Sequence, residues 1–352
     1  RNLARLDGFP HSTRGGFWRT SDHGRWTAGH WVGILWLAYL HTGDESLRIA
    51  ARTWAERLAP RQHDTTTHDM GFLFYPSFVR GYRITGDPWY RDGAVTAARS
   101  LLTRYHEPGG YIQAWDETEN PVHAGRTIVD TVMNLPLLLW AAQETGEEQF
   151  RDIALQVAET TARHHVRPDG STFHVVDFDP ASGAAVRYTT HQGLADDSFW
   201  TRGQGWAILG FATVSRLATR DDLRDVANRL ADAFVTRLQP GIAPPWDFGA
   251  TGPDEPRDAA AGAIAADGLL ELAESGEIHA STVRLRQGRD ILNTLIATSF
   301  DASDAGGQGL LLHATADRPR DSAVDESLIY GDHYFFEAVS RAADPVKVGP
   351  YI

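Results

Sequence analysis

One short turn recurs along this chain. Thr42–Arg48 reads T-G-D-E-S-L-R, Thr85–Arg91 reads T-G-D-P-W-Y-R, and Thr145–Arg151 reads T-G-E-E-Q-F-R. A looser echo, A-T-R-D-D-L-R, stands at Ala218–Arg224. In every copy an alanine follows the arginine by three positions: Ala51, Ala94, Ala154 and Ala227. An apolar, aromatic-rich stretch precedes each copy and an amphipathic one follows. A turn repeated between two helical patterns marks stacked helical hairpins. The feature restricts the chain to an all-α ring or solenoid, and a repeat running its length argues for a single domain over residues 1–352.

The apolar series spans Gly29–His41, Met70–Ile84, Thr127–Glu144, Trp200–Thr219, Gly262–Ser275 and Ser327–Ala342. Aromatics and glycines on several faces of these stretches are the pattern of buried helices. The amphipathic series spans Asp44–Leu58, Asp87–Tyr105, Glu147–Val166, Asp221–Leu238 and Ser281–Ser299. In the fourth of these, Leu223, Val226, Ala227 and Leu230 share one face. Six inner and five outer helices predict an (α/α)6 barrel, with the missing outer helix supplied from the N-terminus, partly as Arg1–Leu6. An open solenoid would carry polar capping repeats, and the last stretch, I-Y-G-D-H-Y-F-F-E-A-V, is instead strongly aromatic. The loops Pro108–Gly125, Arg167–Ser198 and Pro240–Arg257 belong at one mouth of the ring, where function concentrates. The second contains F-H-V-V-D-F, which predicts a small β-hairpin.

Composition narrows the function. A formal charge of −13 argues against nucleic-acid or anionic-membrane partners. The absence of cysteine removes disulfides, thiolate nucleophiles and Cys-based zinc sites. No apolar run reaches spanning length and no signal peptide is legible, so a cytoplasmic monomer or weak homo-oligomer is expected. Eleven Trp, ten Tyr and fifteen Phe are many for a protein with no sugar or aromatic ligand to hold. His63–Asp64 and His164–His165 lack ligand spacing, so neither metal nor other cofactor is expected.

Asp130 stands in R-T-I-V-D-T-V-M-N-L-P-L-L-L-W-A, an otherwise apolar stretch read as helix. A carboxylate there needs compensation from Arg126 or Asn134, or serves as a general acid with a raised pKa. Asp69, in H-D-M-G-F-L-F-Y, is either a helix N-cap or a second carboxylate at the mouth. The densest segment is Thr190–Trp206, T-H-Q-G-L-A-D-D-S-F-W-T-R-G-Q-G-W. Arg202 and Trp206 share a helical face, suiting a sugar carboxylate and a sugar ring respectively. Gly203 and Gly205 between them would let a ligand approach the backbone. The plainer alternative is a core Trp with Arg202 paired to Asp196 or Asp197.

Five segments carry a family resemblance: Arg25–Tyr39, His68–Phe72, Ile128–Leu138, His191–Trp206 and Val324–Ala338. Over nearly its full length the chain resembles the unsaturated glucuronyl hydrolases, glycoside hydrolase family 88. The resemblance implies the same barrel and, as substrate, an oligosaccharide ending in a 4,5-unsaturated uronate. It implies Asp130 as general acid/base with Asp69 assisting. It places His68, Trp115, His174, His191, Gln192, Arg202 and Trp206 in the sugar pocket, with Trp26 at its rim. The stretch matching the family's C-terminal pocket tyrosine, G-L-L-L-H-A-T at Gly309–Thr315, is aliphatic. The related unsaturated rhamnogalacturonyl hydrolases, and lyases or epimerases on the same ring, stand as alternatives.

Overall fold

The computed structural model describes residues 3, 5–275, 278–301, 303 and 307–352. An N-terminal hairpin, β1 (Phe9–Arg14) and β2 (Phe17–Ser21), comes first. Then follow α1 (Ala28–Thr42), α2 (Glu45–Leu58), α3 (Met70–Phe74), α4 (Arg80–Thr85) and α5 (Pro88–Leu102). A two-residue ribbon, β3 (Tyr105–His106) and β4 (Tyr111–Ile112), precedes β5 (Arg126–Ile128), α6 (Leu135–Thr145) and α7 (Glu148–His165). After β6 (Val175–Phe178) and β7 (Ala185–Thr189) come α8 (Thr201–Ala218), α9 (Asp221–Val235), α10 (Ala259–Ser275), α11 (Ile278–Thr298), α12 (Ile329–Ala343) and α13 (Pro345–Val348).

The repeated turn has one hydrogen-bonding scheme. Gly43, Gly86 and Gly146 adopt φ of 68°, 69° and 73°, a left-handed conformation that ends a helix at little cost to glycine. The threonine before each glycine donates its hydroxyl to the carbonyl four residues back, Ala38, Gly81 or Ala141, at 2.7–2.8 Å. The same hydroxyl accepts the N–H two residues on. Asp44 and Asp87 then cap the next helix through Ser46 N and Trp89 N, both at 2.9 Å. In the looser fourth copy Thr219 takes the glycine's place and its φ, 55°. All four following alanines are fully buried where outer helix meets inner helix.

The inner helices α1, α3–α4, α6, α8, α10 and α12 form the predicted (α/α)6 ring, and α12 packs back onto α1. His41 Nε2 lies 2.8 Å from Ser340 Oγ across that closure. Backbones meet closely inside: a Cβ on Gly29 would lie 2.2 Å from the Leu73 carbonyl oxygen, and one on Gly71 2.3 Å from Asn134 Cα. No helix among the described residues is long and apolar enough to cross a membrane.

Three expectations change. Arg1, Asn2 and Ala4 lie outside the described residues, and the N-terminal segment that follows is a β-hairpin, with Gly15 and Gly16 at φ 59° and 83° in its turn. The chain's C-terminal end packs against the inner helices: Val348 and Ile352 pack on Leu37 of α1, and Arg80 and Arg83 of α4 donate to Tyr351 O and Ile352 O at 3.2 and 3.0 Å. The stretch read as helix from Thr127 starts as strand β5, continues as a 3-10 turn over Val129–Asn134 and becomes α-helical only at Leu135. β-Branched residues at 127–129 favour the strand, and Pro136 offers no N–H and restrains the residue before it. Between α3 and α4 the helix widens to a π-turn, Tyr75–Val79, around Pro76, and Trp36 Nε1 donates to the Ser77 carbonyl at 3.0 Å.

Candidate active site

Strand β5 pairs with β6, and β6 with β7, so the expected hairpin in Arg167–Ser198 is part of a three-stranded sheet at the mouth. Arg126 anchors this sheet through Asp177 at 2.7 Å, and Arg187 takes the same carboxylate at 2.9 Å. Arg126 is thereby committed away from Asp130. Val129 N donates to the His174 carbonyl at 2.9 Å, so the chain leaves the sheet at the residue before Asp130.

Asp130 faces a cleft of about 240 Å3 lined by Trp26, His68, Asp69, Phe72, Trp115, Ile128, Asp130, His191, Gln192 and Asp317. Seven of the ten residues singled out from sequence are therefore on its wall. Neither proposed compensating partner serves Asp130: Asn134 Oδ1 accepts Phe72 N at 3.1 Å, and Asp130 Oδ1 has no protein hydrogen-bond partner. Its pKa is raised to about 7, chiefly by burial and further by the Asp69 charge, against the pull of Arg202. A carboxyl group protonated near neutrality is suited to donate a proton.

Asp69 occupies the N-cap position of α3, yet its side chain makes no cap bond. Its Oδ2 accepts the Thr67 hydroxyl at 2.5 Å, and its Oδ1 lies 3.3 Å from His68 Nε2. The other ring nitrogen of His68 is 2.9 Å from the Thr131 hydroxyl. Burial lowers the His68 pKa, against the Asp69 charge, so the ring is neutral. Further along the wall the Trp115 and His191 rings stand 4.9 Å apart. His191 is lowered to about 4, first by burial and then by Arg320, which donates to its carbonyl at 2.7 Å and lies 3.1 Å from its Nδ1. Gln192 donates through Nε2 to the Ala316 carbonyl at 2.7 Å.

The remaining three lie behind the wall. His174 stacks on Trp200 at 4.1 Å, and its Nδ1 accepts from His191 N and Gln192 N, leaving a buried Nε2 without a protein partner. Trp206 is fully buried beneath Trp26, with centroids 6.5 Å apart, and its Nε1 is likewise without a partner. Trp26 packs on Phe72 and Tyr330 at 5.2 and 4.9 Å, making it part of the floor more than an outlying rim. Arg202 is locked: Nη1 pairs with Asp258 Oδ2 at 2.6 Å, and the guanidinium also donates to the Thr315 and Ala316 carbonyls. Both Arg202 and Asp258 are buried. The sequence reading had the right kind of partner, an aspartate, but neither Asp196 nor Asp197 supplies it.

Gly203 and Gly205 serve packing. A Cβ on Gly203 would sit 2.5 Å from the Trp200 ring, and one on Gly205 3.1 Å from the Ala261 carbonyl oxygen. Sequence reasoning missed Phe72, Ile128 and Asp317 on the wall, and Asp258 behind it. Asp317 comes from a hairpin-like loop in which His313, Asp321, Ala323 and Asp325 all have positive φ. Strain of this kind gathers at ligand-facing loops, but D-R-P-R-D reads in sequence as an ordinary polar turn.

Comparison with known proteins places this geometry. Residues 8–246 match the model for Glycosyl Hydrolase Family 88. Unsaturated glucuronyl hydrolase of Bacillus sp. (strain GL1) is 38% identical over 97% of this chain and 93% of its own length. Unsaturated chondroitin disaccharide hydrolase of Streptococcus pyogenes serotype M1 is 34% identical over 91% and 82%. The crystal structure of the Bacillus sp. GL1 enzyme superposes with a TM-score of 0.93 at 35% identity, covering 98% of this chain and 94% of that one. The chain therefore belongs to glycosyl hydrolase family 88, as a glycoside hydrolase of the unsaturated glucuronyl hydrolase type.

Proposed function

We propose that this chain removes the 4,5-unsaturated uronic acid from the non-reducing end of lyase-generated oligosaccharides, of glycosaminoglycan or similar origin, by hydrating the vinyl ether. The carrying observation is Asp130: a carboxyl group raised to about 7, facing a cleft, with one oxygen lacking a protein partner. The Bacillus relative is described as responsible for the degradation of glycosaminoglycan, and the streptococcal ones as chondroitin disaccharide hydrolases, which supports that substrate class.

In this reading Asp130 gives its proton to C4 as the C4=C5 π bond breaks, and C5 becomes an oxocarbenium ion sharing charge with the ring oxygen. A water molecule adds its oxygen to C5 and returns a proton to Asp130. The hemiketal opens at the C5–O5 bond to a C5 ketone. The hemiacetal left at C1 then breaks its bond to the aglycone, which departs as an alcohol. One water is consumed in total. Asp69, beside the acid, assists by disfavouring loss of the Asp130 proton and by stabilising the cation. Trp26, Trp115, His68, His191 and Gln192 hold the sugar on the cleft wall. The partnerless Nε2 of His174 and Nε1 of Trp206 offer buried donors on the same side, while Arg202 acts from beneath, electrostatically. Because the attacked carbon is C5, carboxylate spacing does not decide inversion or retention.

The whole chain would act as one cytoplasmic catalytic domain, as a monomer or weak homo-oligomer, without nucleic-acid or membrane partners. Turnover in deuterium oxide tests the chemistry. Deuterium at C4 of the released uronate product is expected. An unlabelled C4, read by NMR and mass spectrometry, would sink the hydration mechanism and favour an ordinary glycosidase.

A further inference from the structure

The 3-10 turn that delivers Asp130 to the cleft also delivers its neighbour, Thr131, to His68. The Thr131 side chain is fully buried, and its hydroxyl oxygen lies 2.9 Å from His68 Nδ1 and 3.2 Å from the Thr127 hydroxyl. On the far side of the same ring, His68 Nε2 lies 3.3 Å from Asp69 Oδ1. Four side chains thus form one line, Thr127–Thr131–His68–Asp69, joining the strand that leads to one carboxylate with the other carboxylate.

Proton counting gives the line a direction. A neutral imidazole carries one N–H. If it sits on Nε2, that N–H faces a carboxylate, Nδ1 accepts from Thr131, and Thr131 accepts from Thr127. Every donor then has an acceptor, and the line ends on the Asp69 carboxylate. If it sits on Nδ1 instead, the Nε2 lone pair faces the Asp69 carboxylate, which is repulsive.

We infer that Thr131 is a positioning residue: its hydroxyl fixes the orientation and tautomer of the His68 ring, so that Nε2–H faces the Asp69 carboxylate beside Asp130. The inference rests on the roles proposed above for the two aspartates. Valine in place of threonine would keep the shape and remove the donor, leaving Nδ1 buried and unpaired. The ring then loses what selects its orientation and tautomer.

Two measurements decide it. In the wild-type protein, nitrogen-15 NMR of the histidine side chains, with His68 assigned by the loss of its signals in His68→Gln, should show Nε2 protonated and Nδ1 bare near neutral pH. A protonated Nδ1 overturns the inference with no variant of Thr131 needed. In folded Thr131→Val the same signals should report a mixture of the two tautomers, whereas Thr131→Ser, which keeps the hydroxyl, should keep the wild-type pattern. An unchanged tautomer in folded Thr131→Val, or a mixture in Thr131→Ser, overturns the inference. The tautomer is read without turnover, so a failed deuterium experiment would count against the mechanism and leave this result standing.

Discussion

Arg202 Nη1 meets Asp258 Oδ2 at 2.6 Å with both side chains buried, which makes this arginine part of the frame around the cleft. Removing one partner of a buried pair leaves the other charge uncompensated, typically at about 3–5 kcal/mol. Arg202→Ala should therefore lower stability by an amount of that order, beyond any effect on binding. The loss should be smaller at pH 5 than at pH 8, because an unpaired Asp258 relieves its cost by taking a proton. Denaturant unfolding at the two pH values is the check, and wild-type stability in the variant would return Arg202 to a purely ligand-facing role.

Activity should fall as pH rises through about 7, where Asp130 loses its proton. Asp130→Asn should cut kcat by a factor of roughly 100 or more with substrate binding preserved, followed by loss of vinyl-ether absorbance. The raised pKa also bears on stability. An acid whose folded-state pKa lies above its unfolded value costs stability once ionised, so the cost is full above about pH 7 and vanishes as pH falls toward 4. Asp130→Asn should thus be more stable than wild type at pH 8 and gain little at pH 5. Asp332, also raised to about 7 by burial, is common to both proteins and cancels in the difference.

Asp69→Asn separates two roles for one residue. The side chain makes no helix-cap bond, so the variant should fold with nearly unchanged thermal stability. Its kcat should nevertheless drop by a factor of about 100, in the range of acid–base contributions. Unfolding of this variant alone, measured by circular dichroism, would instead make Asp69 a cap.

The fourth turn offers a stability gain. Thr219 holds φ of 55°, which costs a residue with a Cβ about 1–2 kcal/mol relative to glycine. Thr219→Gly should raise stability by about 1 kcal/mol, less what glycine gains in unfolded-chain entropy. Gly43→Ala, at φ 68°, should move it the other way. Equal melting temperatures for Thr219→Gly and wild type would show that the surroundings have already absorbed the strain.

The hairpin scheme was legible because its turn is chemical as well as periodic: threonine, left-handed glycine and capping aspartate each occupy a place only they fill well. The candidate site was legible where an oddity stood against its background, as Asp130 does in an apolar run. What stayed hidden lay where one-dimensional periodicity carries no information. An apolar run such as Thr127–Asn134 looks alike as strand, 3-10 turn or buried helix, and only Pro136 hinted at the change. The partner of Arg202 could not be read because Asp258 is 56 residues away, and pairing at that range is decided by how helices stack. Asp317 and Arg320 read as surface charges because nothing local announces that their loop folds over the mouth.

The direction in which the inner helices run has an electrostatic consequence. Each enters the ring from the mouth: Thr27 precedes α1, Asp69 precedes α3, Trp200 precedes α8 and Leu328 precedes α12. Aligned peptide dipoles place roughly half a positive charge at such an end. The cleft walls carry Asp69, Asp130 and Asp317 and, among their lining residues, no lysine or arginine. The backbone itself, pointing several amide-rich ends toward one opening, therefore offsets the negative charge of the carboxylates on the cleft wall.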